Sequence, residues 1–251
     1  MIDIKDLRKS FGGAEVLKGV NLCIAKGEVL GLIGRSGYGK SVLLKHVVGL
    51  MKPDMGRIAV DGKDISTLSG KALSHMRSRL GFLFQGGALF DSMTVEENIR
   101  FPMDMFTNKT AKEKLDRVNY CLERVNLERV NHKYPAEISG GMQKRVGIAR
   151  SIVLDPKYLF CDEPNSGLDP KTSILIDELI QSITREHNIT TIINTHDMNS
   201  VMEIGEHIAL LNQGRLEWEG KNTEVMQSDN EELHDFIFAS PFLKKLKERA
   251  I

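Results

Sequence analysis

Val29-Leu30-Gly31-Leu32-Ile33-Gly34-Arg35-Ser36-Gly37-Tyr38-Gly39-Lys40-Ser41 is the stretch on which the fold turns. Val29 to Ile33 is a short apolar run, the pattern of a strand buried on both faces of a sheet. Gly34 to Ser41 fits the spacing G-x-x-x-x-G-K-[ST], and a helical stretch from Ser41 to Gly49 follows. Strand, glycine loop and helix in that order make an anion cradle. The glycines let main-chain N–H groups curl around a phosphate, and the helix dipole favours the negative charge. Gly34, Arg35, Ser36, Gly37, Tyr38 and Gly39 would wrap the phosphates of a nucleotide. Lys40 would reach the β- and γ-phosphates, and Ser41 would ligate Mg2+.

Such a cradle needs an acidic residue at the end of a neighbouring strand, and Lys157-Tyr158-Leu159-Phe160-Cys161-Asp162-Glu163 supplies one. Asp162 would hold the Mg2+ shell, and Glu163 would polarise the attacking water as general base. Taken alone, the two carboxylates read equally well as the opening of a surface turn before Pro164. Alongside the phosphate loop, the catalytic reading prevails.

The rest of the chain organises around these two points as an α/β fold with a P-loop NTPase core. Residues before Ala25 and from Gly56 to Ile65 read as antiparallel hairpins, a β subdomain. From Thr94 to about Ser151, Leu115, Val118, Leu122 and Val125 recur at helical spacing among many charges, which predicts an inserted helical subdomain over 94–151. Strands are expected at Leu80–Phe84, Tyr158–Cys161, Thr190–Asn194, His207–Asn212 and Arg215–Glu219, with helices at Ser173–His187 and Asn199–Gly205. The ATPase domain is expected over 1–228. The tail, 229–251, is expected to be helical, and Leu233, Phe236, Ile237, Phe238 and Phe242 give it an apolar side. That side would dock either on its own domain or on another subunit.

Composition narrows the class. At 251 residues with a formal net charge of zero, the chain lacks the excess positive charge of a non-specific nucleic-acid binder, so no nucleic-acid partner is expected. Cys23, Cys121 and Cys161 are scattered without a CxxC pair, as in reduced proteins of the cytosol. The opening Met1-Ile2-Asp3-Ile4-Lys5-Asp6 alternates like a strand rather than a signal peptide. No apolar run reaches the roughly 18 residues that span a bilayer.

Ile138-Ser139-Gly140-Gly141-Met142-Gln143 narrows the reading to a family, because it resembles the LSGGQ signature of ABC ATPases. On its own it would be an ordinary capped helix. It stands, however, in the family's order with Gln85 after the Leu80–Phe84 strand (the Q-loop position), Ser166-Gly167-Leu168-Asp169 after Glu163, and His196 after the Thr190–Asn194 strand. The resemblance implies a homodimer of ATPase subunits arranged head-to-tail. Each ATP would be gripped by one protomer's Lys40 and by Ser139, Gly140 and Gly141 of the other. It further implies that Gln85 senses the γ-phosphate and the Mg2+, that His196 bonds the γ-phosphate, that Asp169 meets the opposite subunit, and that Phe11 stacks on adenine with Val16 beside it. Ile138, Met142 and Asn165 depart from the family's usual leucine, glutamine and threonine.

One phosphate loop and no long heptad run disfavour the ABC ATPases of chromosome maintenance, DNA repair and ribosome binding. Phe84-Gln85-Gly86-Gly87-Ala88-Leu89-Phe90-Asp91-Ser92-Met93-Thr94-Val95-Glu96-Glu97-Asn98-Ile99 looks like the phospholipid-trafficking ATPases of the Mla type, and Met142 agrees with them. That likeness implies ATP hydrolysis driving lipid transport for outer-membrane asymmetry from the cytoplasmic face of the inner membrane. A permease would dock near Gln85 to Met93, with Phe90 and Met93 as its apolar seat. An MCE-domain lipid-binding protein would join through the complex, and a STAS-domain accessory subunit in some bacteria. The alternative is an importer ATPase for a polar solute such as an amino acid.

Overall fold

The computed structural model describes residues 1–238. In chain order the elements are β1 (Ile2–Phe11), β2 (Ala14–Ile24), β3 (Val29–Ile33), α1 (Lys40–Val47), β4 (Met55–Val60), β5 (Lys63–Asp64), α2 (Gly70–Arg77) and β6 (Leu80–Leu83). Then come α3 (Val95–Phe106), α4 (Ala111–Arg124), α5 (Gly140–Ile152), β7 (Tyr158–Asp162), α6 (Pro170–His187) and β8 (Thr190–Asn194). α7 (Met198–Ile204), β9 (His207–Asn212), β10 (Arg215–Lys221) and α8 (Glu231–Ile237) complete the chain. The strands fall where the apolar runs predict them. α2 was not foreseen, since Gly70–Arg77 buries only Met76 and so shows little apolar periodicity. The predicted last residue of β6, Phe84, lies outside the strand and is exposed.

The chain divides into two compact units. Among the described residues the first comprises 1–24, 30–66 and 195–238. It holds an antiparallel sheet in the order β2-β1-β4-β5, and the strands β10-β9-β3, in which β9 and β3 run parallel. A bulge in β1 puts Asp6 at φ 43°, and the β1–β4 pairing shifts register between Lys5 and Arg8. The turn between β9 and β10 is tied to β2 by Lys18 N–H donating to the Gly214 carbonyl at 2.8 Å.

α8 settles part of the tail. Leu233, Ile237 and Phe238 are buried with Ile33, Val201, Ile208, Leu210 and Val225, and Phe236 packs against them. Thus residues 231–238 dock on their own unit; Phe242 lies outside the described residues.

The second unit comprises 25–29 and 67–194. Its strands run parallel in the order β8-β7-β6, and β7 and β8 are buried at every position. Strands buried along their whole length need cover on both faces, as parallel sheets do. The helices α3, α4 and α5 lie between β6 and β7 in the chain. α3 and α4 open with capping boxes, Thr94 with Glu97 and Thr110 with Glu113, which satisfy main-chain donors at each start. Cys121 and Cys161 are buried free thiols, and burial pushes Cys121 up to about 11. Both therefore stay neutral and act as small apolar core residues.

Candidate functional site

The phosphate loop lies between β3 and α1 in the first unit. Gly34 has φ 145°, and a Cβ there would stand 2.2 Å from the Leu211 carbonyl oxygen, so only glycine fits. Gly39 has φ 102° and serves as the cap of α1 without any side-chain hydrogen bond. A Cβ on Gly37 would meet nothing within 4 Å, so the loop is open at that point. Lys40 is 6% exposed, and its Nζ donates to the carbonyls of Gly34 at 2.7 Å and Arg35 at 3.2 Å. The ammonium is thus curled over the loop that the sequence assigns to phosphate. Exchanging these carbonyls for phosphate oxygens replaces neutral acceptors by charged ones, which strengthens each bond.

Val16 belongs to the same place: its carbonyl and Cγ1 would lie 3.1 and 3.4 Å from a Cβ on Gly39. Phe11 is 44% exposed at the end of β1, with the Lys9 ammonium 5.5 Å from its ring centre. It is therefore a surface aromatic rather than a core residue, available for stacking. His196 is exposed just beyond β8, after buried Thr195, whose hydroxyl accepts from the Asp197 N–H at 3.0 Å.

In the second unit Asp162 ends β7 and is buried, and Asn194 Nδ2 donates to its Oδ1. Glu163 follows in the left-handed region at φ 51°. Its N–H donates to the Asn194 carbonyl at 2.8 Å, so Asn194 touches both members of the acidic pair. Asn165 donates from Nδ2 to both carboxylate oxygens of buried Asp177 at 2.9 Å each. That bond gives a structural reason for the asparagine where the family usually has threonine. Asp169 caps its own helix, accepting from Thr172 N–H at 3.0 Å and Thr172 Oγ1 at 2.5 Å, and these bonds hold its carboxyl below the ordinary range.

Among the described residues no group of three or more His, Cys, Asp and Glu could hold a metal. The donor set assigned from sequence is correspondingly sparse: the Ser41 hydroxyl, the Asp162 carboxylate and the Gln85 amide. Donors of these kinds are ones Mg2+ accepts, since it keeps water and nucleotide phosphates as most of its ligands and takes only one or two protein carboxylates.

The signature sits at the start of α5. Ser139 is the cap residue, and its Oγ accepts from Met142 N–H at 3.3 Å. Ser139 and Gly140 are exposed, and Gly141 is half-buried, with a Cβ there 2.9 Å from Thr172 Cγ2. Gln143 Nε2 donates to Pro135 O at 2.9 Å, which pins the loop preceding the helix.

Gln85 is exposed, and its Nε2 lies 3.4 Å from Ser166 Oγ. Gly86, Gly87 and Ala88 after it all have positive φ, at 76°, 79° and 44°. Two side chains hold this irregular backbone, and neither was singled out from sequence. Arg150 donates to the carbonyls of Gly87 at 2.6 Å and Ala88 at 2.9 Å. Asn98, fully buried, accepts from Phe90 N–H at 2.8 Å and donates to the carbonyls of Phe90, Met93 and Thr94 at 3.1, 3.1 and 3.0 Å. The result is a groove of about 450 Å3 walled by Phe82, Phe84, Phe90, Phe101, Pro102 and Phe106. Met93, expected beside Phe90 as part of the seat, does not line it, because its segment turns into the α3 cap held by Asn98.

A family profile described as ABC transporter matches residues 17–166. The chain is 41% identical over 236 residues to "Probable ribonucleotide transport ATP-binding protein mkl" of Mycobacterium leprae, covering 94% of this chain and 68% of that protein. It is likewise 41% identical over 227 residues to "Methionine import ATP-binding protein MetN" of Caulobacter vibrioides, covering 90% and 68%. Among solved structures, the dimeric ATP-binding cassette MJ0796 in a post-hydrolysis state bound to ADP and Pi is similar at TM-score 0.81 and 33% identity, over 88% of this chain and 99% of that one. Structure cbiO1 from Clostridium perfringens, part of the transporter complex cbiONQ, is similar at TM-score 0.83 and 31% identity, over 98% of each chain. With phosphate loop, acidic strand end and signature helix present together, the chain belongs to the ABC transporter family as an ATP-binding, ATP-hydrolysing cassette.

Proposed function

We propose that this cassette works as a homodimer that drives phospholipid traffic through a permease seated in the phenylalanine-walled groove. The observation that carries the transport part is that groove: a concave apolar surface whose backbone is held by Asn98 and Arg150, suited to a short helix from a partner. The lipid part rests on the Phe84–Ile99 segment and Met142, which resemble the Mla type. By the same resemblance an MCE-domain lipid-binding protein joins the complex, and a STAS-domain subunit is a further partner. The chain contains no helix long and apolar enough to cross a membrane among its described residues, so the lipid path belongs to the permease.

In this reading Phe11 and Val16 hold adenine, Gly34 to Ser41 hold the phosphates, and Lys40 offsets charge on the transferred phosphoryl group. Ser139, Gly140 and Gly141 present N–H groups to the nucleotide of the partner. Glu163 takes a proton from the attacking water while His196 and Gln85 orient the γ-phosphate and the water. The chemistry is mostly placement and electrostatics. Glu163→Gln is expected to bind ATP and accumulate closed dimers without turnover.

A second reading, import of a polar solute such as an amino acid, is favoured by the relatives named for methionine import and ribonucleotide transport. One experiment separates the two. The cassette is purified with its membrane partners, bound lipid is identified, and ATPase stimulation is compared between phospholipid and methionine. Co-purified phospholipid and lipid-dependent turnover support the proposal; stimulation by the solute alone rejects it. Phe90→Glu is expected to abolish co-purification with the permease.

A further inference from the structure

We infer that Lys144 is a positioning residue that ties the main chain of Glu163 to the helix beginning at the signature. The inference rests on reading Glu163 as the general base. Lys144 lies on α5, five residues beyond the Ser139 cap, about 7.5 Å along the helix. Its residue surface is only 4% exposed, and its Nζ is 3.4 Å from the Glu163 carbonyl oxygen. A buried ammonium is costly unless compensated, so its presence in the core of the helix face calls for a reason. Burial lowers its pKa, and the nearby Glu163 charge opposes that shift.

Glu163 is a residue whose backbone needs an anchor. A non-glycine side chain at φ 51° occupies a sparsely populated region and persists only where its surroundings impose it. Asn194 O accepts from Glu163 N–H at 2.8 Å on one side. On the other, Ser166 N–H at 3.2 Å and Lys144 Nζ converge on the Glu163 carbonyl. The main chain of Glu163 is thus held at both its N–H and its carbonyl, which fixes where its Cα–Cβ bond starts. Because Lys144 rides on α5, any shift of the helix start on capturing an anion is passed to the Glu163 peptide of the same chain. In a dimer whose signature serves the opposite nucleotide, this links one pocket's occupancy to the other pocket's water-activating group.

The test compares Lys144→Met, Lys144→Arg and Glu163→Gln in the full-length chain by steady-state ATPase and by titration with a fluorescent ATP analogue. Lys144→Met is expected to lower kcat about 10- to 100-fold with analogue affinity and KM unchanged, the size of effect that misplacement of a reacting group produces. Lys144→Arg, which keeps a cationic donor, is expected to recover most of the loss. If Lys144→Met does not fold, Lys144→Ala, which leaves room for water beside the carbonyl, carries the same expectation. Native kcat in Lys144→Met with Glu163→Gln inactive overturns this inference alone. Parallel loss of analogue affinity and kcat also overturns it, as a merely structural role. Native turnover in Glu163→Gln overturns the base assignment and this inference with it.

Discussion

Two glycine-rich helix starts, at α1 and α5, look alike in sequence and are finished differently. α1 begins behind Gly39 with no capping side chain and no acidic residue in its first turn. α5 begins behind Ser139, whose hydroxyl already accepts the Met142 N–H. The first start has no capping side chain and carries a buried cation, Lys40, at its first residue. The second meets part of its own need and offers what remains. By the ordinary worth of a cap, α5 is self-stabilised by about 0.5–2 kcal/mol where α1 is not. The difference teaches that two glycine-rich starts of similar spelling can be finished in opposite ways, one by a buried cation and no cap, the other by its own serine.

The largest expected break in this comparison is Lys40→Ala. Removing the cation from the uncapped start should cost turnover by about 10²–10³-fold or more, with nucleotide affinity reduced, read by ATPase assay and analogue titration. Gly34→Ala follows. Its Cβ would lie 2.2 Å from Leu211 O at φ 145°, so a loss of about 1–3 kcal/mol in thermal unfolding and failure of nucleotide binding are expected. At α5, Ser139→Ala should cost about 0.5–2 kcal/mol and Ser139→Gly only a few tenths. If Ser139 also serves the partner's nucleotide, both variants lose turnover alike; if it serves only as a cap, Ser139→Gly keeps native turnover.

The smallest expected effect is acid sensitivity at the capped starts of α3 and α4. Hydrogen bonds from Thr94 and Thr110 hold the carboxyls of Glu97 and Glu113 below the usual range. A carboxylate depressed in the fold stabilises it above the unfolded pKa and loses that contribution as pH falls through the folded value. Circular dichroism should therefore show helix loss beginning on acidification below the ordinary glutamate range, and Glu97→Gln should flatten the α3 share of it. α1 and α5 have no acidic residue in the first turn and should show no such share.

What could be read without coordinates was local. The apolar run before Gly34, the glycine spacing to Lys40, the acidic end of Tyr158–Asp162 and the serine-glycine start at Ser139 each lie within a few neighbouring residues. Hydrogen-bond geometry and helix periodicity impose those spacings on the chain itself, so they survive as pattern. Phe90 walls the groove and Met93 does not, a difference that apolar letters three residues apart do not reveal, and Asn98 holds the Phe90–Thr94 backbone between them. Arg150 on the Gly87 and Ala88 carbonyls and Asn194 on Asp162 and Glu163 were likewise invisible. They bond main chain or side chain 31 to 63 residues away, and no spacing rule connects such pairs. Sequence alone determined where the glycine loop, the acidic strand end and the serine-glycine helix start lie along the chain. Only the tertiary structure decided how their backbones are held, because a buried side chain's partner is chosen by packing and not by its position in the sequence.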